Sequence, residues 1–130
     1  RVVARHRDLA HHFDAAGESA RALPYALLAA EQARSQHSLA IAVQQYNIAQ
    51  RGVATADELK RYQIAEGLGD VLMLQGKYDN AAQVLEAAAF LAREQIQKAE
   101  IEGRLGELAF KKGDMKTAGD CHDRAVRLLP

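Results

Sequence analysis

"GLGDVLMLQGKYDNAAQVLEAA", residues 67–88, returns 37 positions later as "RLGELAFKKGDMKTAGDCHDRA", residues 104–125. The offset pairs Ile64 with Ile101, Leu68 with Leu105, Gly69 with Gly106, Gly76 with Gly113, Ala81 with Ala118, Ala88 with Ala125 and Leu91 with Leu128. Repetition on this scale means stacked supersecondary units. Within each copy the apolar residues recur at helical spacing, as in Leu68, Val71, Leu72 and again Ala81, Val84, Leu85, Ala88. Each copy is therefore predicted to be two helices. The intervening Gly76-Lys77-Tyr78-Asp79 and Gly113-Asp114-Met115-Lys116 are short enough to force an antiparallel hairpin. Glycine suits the left-handed position that ends the first helix, and aspartate can help start the second. Gly69, Gly106, Ala81 and Ala118 are then expected where one helix approaches another closely, leaving the variable positions to face solvent or a ligand.

Composition agrees with an all-α chain. The 130 residues, one ordinary domain's length, are 48% hydrophobic but only 5% aromatic, with no Trp, so the core must come from Ala, Leu, Val and Ile. Only two Pro interrupt it, and Ala-rich sequence favours helix over strand. Seventeen basic residues balance seventeen acidic ones, so no bulk charge draws the chain to nucleic acid. A lone Cys121 agrees with a reducing, cytoplasmic setting. No apolar run approaches the ~18 residues of a membrane span, and no signal-peptide pattern opens the chain. Arg1 without Met at one end and Pro130 directly after an amphipathic helix at the other lead us to expect a segment of a longer polypeptide.

The N-terminal half reads as a more divergent version of the same plan. Residues 8–33, "DLAHHFDAAGESARALPYALLAAEQA", place Leu9, Ala10, Phe13, Gly17 and Ala22 in similar order, and residues 39–49, "LAIAVQQYNIA", supply Ala42, Tyr46 and Ala49. Seven helices are predicted, at 2–16, 19–36, 38–51, 56–75, 78–96, 99–112 and 115–128. Pro24 falls in the first turns of the second, where it removes a backbone donor and is expected to bend the axis. Residues 52–57 form the one loop with room to act as a hinge, with Thr55 or Asp57 as N-cap.

The order Leu68-Gly69, Leu72, Gly76, Tyr78, Ala81, Leu85, Ala88 resembles the tetratricopeptide repeat, as does Leu105-Gly106, Ala109, Gly113, Met115, Ala118, His122, Ala125, Pro130. That family's period is 34, so the resemblance implies one extra helical turn, expected around Arg93–Lys98. The usual Trp is replaced by Ala65 and Glu102. The implied architecture is a right-handed superhelix of about seven antiparallel helices, an α-solenoid, in a single domain 1–130 with repeat-like units near 3–36, 23–51, 62–96 and 99–130. The stretch "HHFDAAG" followed by "RALPYALLAAEQA" is similar to repeat regions C-terminal to the nucleotide-binding module of large bacterial signal-transduction ATPases and regulators. It implies a regulatory arm whose nucleotide chemistry lies in another domain.

Residues with chemical potential are present, but their spacing argues against catalysis. Gly67-Leu68-Gly69 lacks the third glycine and the preceding strand of a dinucleotide fingerprint and is read as helix packing; no Walker-type sequence occurs. His6, His11 and His12 miss the i, i+3 or i+4 spacing that would put ligands on one helical face. Cys121 and His122 point about 100° apart on one helix, and Cys121 is read as a small core residue. Glu66 with Asp70 and Glu100 with Glu102 are paired carboxylates, yet acid–base work also needs a closed pocket. No enzyme activity, cofactor or metal is expected.

A binding groove is the expected functional feature. In the family this chain resembles, the first helix of each pair lines a concave face. Those positions would here be Gln63, Glu66, Asp70 and Met73, then Glu100, Gly103, Glu107 and Phe110, with Ala4, Arg7, His11 and Asp14 in the N-terminal unit. The expected groove is acidic toward the C-terminus. It suits a basic or amphipathic protein segment or peptide, with Met73 and Phe110 giving apolar contact, and its acids oppose the capture of a terminal carboxylate. Two functions compete: an interaction module that binds a partner protein or neighbouring domains of its own chain, and a passive spacer or oligomerisation arm. The last helix leaves Ala118, Val126 and Leu129 without a covering helix, which offers a route to a homo-oligomer.

Overall fold

The computed structural model describes residues 2–130, and the side chains from residue 5 onward. Among them lie seven α-helices: α1 Val2–Ala15, α2 Ser19–Ser35, α3 Leu39–Arg51, α4 Glu58–Leu74, α5 Tyr78–Leu91, α6 Gln95–Lys111 and α7 Met115–Leu128. One 3-10 turn, Val53–Thr55, joins α3 to α4, and the described residues contain no strand. The all-α expectation holds.

Four of the links share one geometry. Helices α1, α2, α4 and α6 each end on a residue in the left-handed region, at Gly17 (φ 76°), His37 (φ 58°), Gly76 (φ 79°) and Gly113 (φ 84°). In each case the next amide reaches back to a carbonyl five residues earlier, as in Lys77 to Leu72 at 2.9 Å and Asp114 to Ala109 at 2.8 Å. The left-handed residue itself bonds three back, as in Gly76 to Met73. This paired bond satisfies carbonyls the helix end would otherwise leave open, and it turns the chain directly into an antiparallel partner. His37 takes the same turn without glycine, which is why residues 33–38 lack the expected punctuation.

The link between α5 and α6 departs from expectation. The fifth helix was expected to run to residue 96, but it stops at Leu91, with Ala92 extended (ψ 126°). The cause is Gln97, whose Oε1 accepts the backbone N–H groups of Arg93 (2.9 Å) and Glu94 (3.2 Å) and so defines a helix start there. The residues expected to prolong α5 thus form the link and the first turn of α6, which at 17 residues has the same length as α4.

Residues 52–57 are tied down rather than open. Arg61 donates to the carbonyls of Val53 (3.0 Å) and Ala54 (3.3 Å), Thr55 Oγ1 donates to Gly52 O, and Gly52 is buried against α2. A Cβ on Gly52 would sit 2.4 Å from the Ser19 carbonyl oxygen. Asp57 caps α4 by accepting from Lys60 N at 2.8 Å, and Asp114 caps α7 from Thr117 N at 3.1 Å. Pro24 sits exposed within an unbroken α2.

Each helix packs chiefly on its neighbours in the chain, and α2, α4 and α6 also touch in succession. One cluster of buried apolar residues runs from Ala10 to Leu108, dominated by alanine and leucine with Tyr46 and Ile64 at its centre. Small residues set the helix distances as expected. A Cβ on Gly69 would lie 2.5 Å from Leu85 Cδ2 across α4–α5, and one on Gly106 would lie 3.1 Å from Cys121 Cβ across α6–α7. Gly67 lets the Tyr46 ring of α3 lie against α4. The Gly67-Leu68-Gly69 stretch is thus helix packing, and Cys121 is buried, the only buried residue of α7.

Candidate functional site

Along the row α2, α4, α6 the side chains form a charge-ordered band. Arg34 leaves the last turn of α2 and donates to Glu66 through both terminal nitrogens (3.1 and 2.8 Å) and to Asp70 Oδ2 through Nε (2.9 Å). Arg104 of α6 approaches from the other side, 3.3 Å from Glu66, 3.5 Å from Asp70 and 3.7 Å from Glu107. Planar guanidinium groups suit such shared carboxylates because each offers several fixed donors. Burial works against the Arg34 charge, but the Glu66 hydrogen bond and the Glu66 and Asp70 charges outweigh it and hold the group above its ordinary pKa.

Two tyrosines stand beneath the band. Tyr62 of α4 donates to Glu100 at 2.9 Å and to the Gln97 carbonyl at 3.2 Å, linking α4 to α6. Its pKa is raised by burial first and by that bond to Glu100 second. Tyr46 is fully buried, its hydroxyl has no hydrogen-bond partner, and burial pushes its pKa up to about 12.

The acidic groove expected from sequence is corrected by these contacts. Glu66 and Asp70 are not open acids, because Arg34 and Arg104 hold both, and Asp70 is only 7% exposed. Met73 lines nothing, being 1% exposed within the core cluster. Gln63 is half-buried, while Glu100, Glu107 and Phe110 are exposed, Phe110 at 62%. These, with Gly103, form the accessible part of the band.

The N-terminal positions lie elsewhere. Ala4 is outside the described side chains, and Arg7 is half-buried on α1. His11 Nε2 lies 3.1 Å from Gln45 Nε2, and Asp14 accepts from Arg51 at 2.8 and 2.7 Å, so both meet α3. The Arg51 bond lowers the Asp14 pKa. It is α2, through Arg34, that stands beside α4. The histidines also diverge: His6 faces Tyr25, His11 faces Gln45 and His12 faces Phe13. Among the described residues no group of three His, Cys, Asp or Glu side chains could hold a metal, and no helix is long and apolar enough to cross a membrane.

Sequence reasoning missed Arg34 and Arg104. Arg104 carried a local signal, three residues before Glu107 on one helix. Arg34 carried none, because its partners lie 32 and 36 residues away. Compared with known proteins, this chain of antiparallel helix pairs matches no family model and no curated protein.

Proposed function

We propose that this chain is a protein-interaction or scaffold module of the tetratricopeptide type, a right-handed solenoid that positions or regulates other domains of a bacterial cytoplasmic signalling protein. It has no catalytic part of its own in this reading. The observation that carries it is the band across α2, α4 and α6. Its inner charges are locked as Arg34–Glu66–Asp70–Arg104, while Glu100, Glu107 and the exposed ring of Phe110 stand on the same helix face of α6. Locked charges give a stiff, pre-organised surface, and an apolar ring flanked by exposed carboxylates suits an amphipathic segment with basic groups. The test is capture from native lysate with quantitative mass spectrometry, comparing the parent with a Glu100→Lys, Phe110→Ser variant of matched helicity. Proteins retained by the parent and lost from the variant support the module; identical capture by both contradicts it.

One observation favours a second reading, a stiff spacer with no ligand surface. Two arginines satisfy three carboxylates internally, leaving the band little free charge. Capture unaffected by the variant is the result this reading expects.

A further inference from the structure

The α6–α7 hairpin carries an open copy of the surface that α6 itself occupies on α4–α5. A cavity of about 220 Å³ lies on the hairpin, lined by Glu102, Gly103, Gly106 and Glu107 of α6 and by Ala118, His122 and Ala125 of α7. Unlike the cavity that Ala82 and Glu86 of α5 share with α6 and α7, it takes in no residue of α5. Moving each lining residue back by 37 gives Ala65, Glu66, Gly69, Asp70, Ala81, Leu85 and Ala88. Of those, all but Glu66 are buried, and α5 packs on only two helices, α4 and α6. The internal counterpart is thus filled, and Arg104 of the filling helix reaches Asp70 at 3.5 Å.

We propose that this face is a docking seat for an amphipathic helix of a partner protein, one that places a basic side chain against Glu107 as Arg104 is placed against Asp70. The proposal rests on the interaction-module reading and reaches beyond the band, sharing Gly103 and Glu107 with it and adding Ala118, His122 and Ala125 of α7. Charge complementarity selects the occupant. Glu107 stands where Asp70 stands in the internal copy, yet its side chain is 45% exposed against 10% for the side chain of Asp70, and the cation paired with it is Arg104 of its own helix at 3.7 Å. Gly103 has nothing within 4 Å of a would-be Cβ, so a helix can approach α6 closely there. The seat keeps the glycine and the two alanines of its internal counterpart and differs at the other four positions, where Glu102 replaces Ala65, Gly103 replaces Glu66, Glu107 replaces Asp70 and His122 replaces Leu85, so that Glu107 alone stands in for the two carboxylates that hold Arg104.

The chain supplies its own probe, a fluorescent peptide of residues 93–112, whose face already fits the internal seat. With the 130-residue protein, we expect saturable binding by anisotropy and amide shift changes centred on Gly103, Gly106 and Ala125. Glu107→Arg should weaken binding about tenfold, and an Arg104→Glu peptide should restore it. Ala125→Arg, on α7 and outside the band, should abolish it, and His122→Leu should tighten it severalfold. No saturation, shifts centred on α4–α5, or binding indifferent to the charge exchange overturns the proposal. Self-association of the chain alone, abolished by Ala125→Arg, also overturns it by assigning the seat to a second copy. Ala125→Arg leaves the Glu100–Phe110 surface intact, so lysate capture lost with one variant and kept with the other separates this proposal's failure from that of the band.

Discussion

In α4 ten residues are buried; in α6, which repeats it 37 positions later at the same length, five are. Their partners differ in the same sense, with Ala81, Leu85 and Ala88 buried in α5 against Cys121 alone in α7. Both hairpins have the same left-handed turn and the same glycine at the crossing. The difference therefore comes from neighbours. Helices α2, α3 and α6 all pack on α4–α5, whereas among the described residues α6–α7 meets α4 and α5 alone. One skeleton specifies the hairpin, and its position in the row decides how much of that skeleton contributes to stability, since a repeat's stability is its own plus that of its interfaces.

Substitutions at equivalent positions should expose this asymmetry. The largest effect belongs to Leu85→Ala, which empties a fully buried site and should cost about 2–5 kcal/mol in urea unfolding. Its counterpart His122→Ala is exposed and should change stability by less than about 0.5 kcal/mol. Equal losses would mean that the two hairpins are equally enclosed.

The crossing glycines come next. Gly69→Ala drives a Cβ to 2.5 Å from Leu85 and should cost about 1–3 kcal/mol, offset in part by alanine's better helix propensity. Gly106→Ala meets Cys121 Cβ at 3.1 Å, where α7 has open space to shift, and should come out near neutral, within about 1 kcal/mol. A larger loss at Gly106 in thermal unfolding would reverse the ranking.

The band yields smaller differences. Arg34→Gln leaves Asp70 dependent on Arg104 and should cost about 2 kcal/mol; Arg104→Gln, whose side chain is 35% exposed against 23%, should cost about half as much. The double variant should lose more than the two added together, because each arginine compensates for the other, and a double-mutant cycle measures that excess.

The smallest effect has the opposite sign. Tyr46→Phe removes a buried hydroxyl without a partner and should be neutral or stabilising by up to about 1 kcal/mol. Its folded pKa of about 12 stands above the value of about 10 expected in the unfolded chain. The unfolded state therefore loses its proton first, and this group makes stability fall as pH rises from about 10 to 12. In Tyr46→Phe that slope should diminish.

Much of the fold was legible because hairpin turns and close helix contacts leave local marks. Gly76, Gly113, Gly69 and Gly106 are needed where they stand, and the α7 boundaries follow from them. The α2–α3 turn carries no glycine, yet it falls at residue 37, between the helices expected at 19–36 and 38–51, where His37 adopts the left-handed conformation. The α5–α6 boundary was misplaced because Gln97, a good helix former, acts there through a side-chain bond to the backbone. At the candidate site the α4 and α6 positions came from the family resemblance, which put Met73 in the groove although it is buried and carried no sign of the arginines that hold Glu66 and Asp70. Arg34 and Tyr46 reach α4 from other helices, and contacts across more than 30 residues have no periodicity to betray them.

Native-state amide hydrogen exchange of the whole chain tests the central claim most directly, because it reads the two hairpins side by side in one molecule. The account predicts that the core amides of α4 and α5 exchange only through global unfolding, while those of α7 open through a smaller, local event at least tenfold more often. Equal protection of α5 and α7 would contradict it, showing that the hairpins derive their stability from within and not from the helices that flank them.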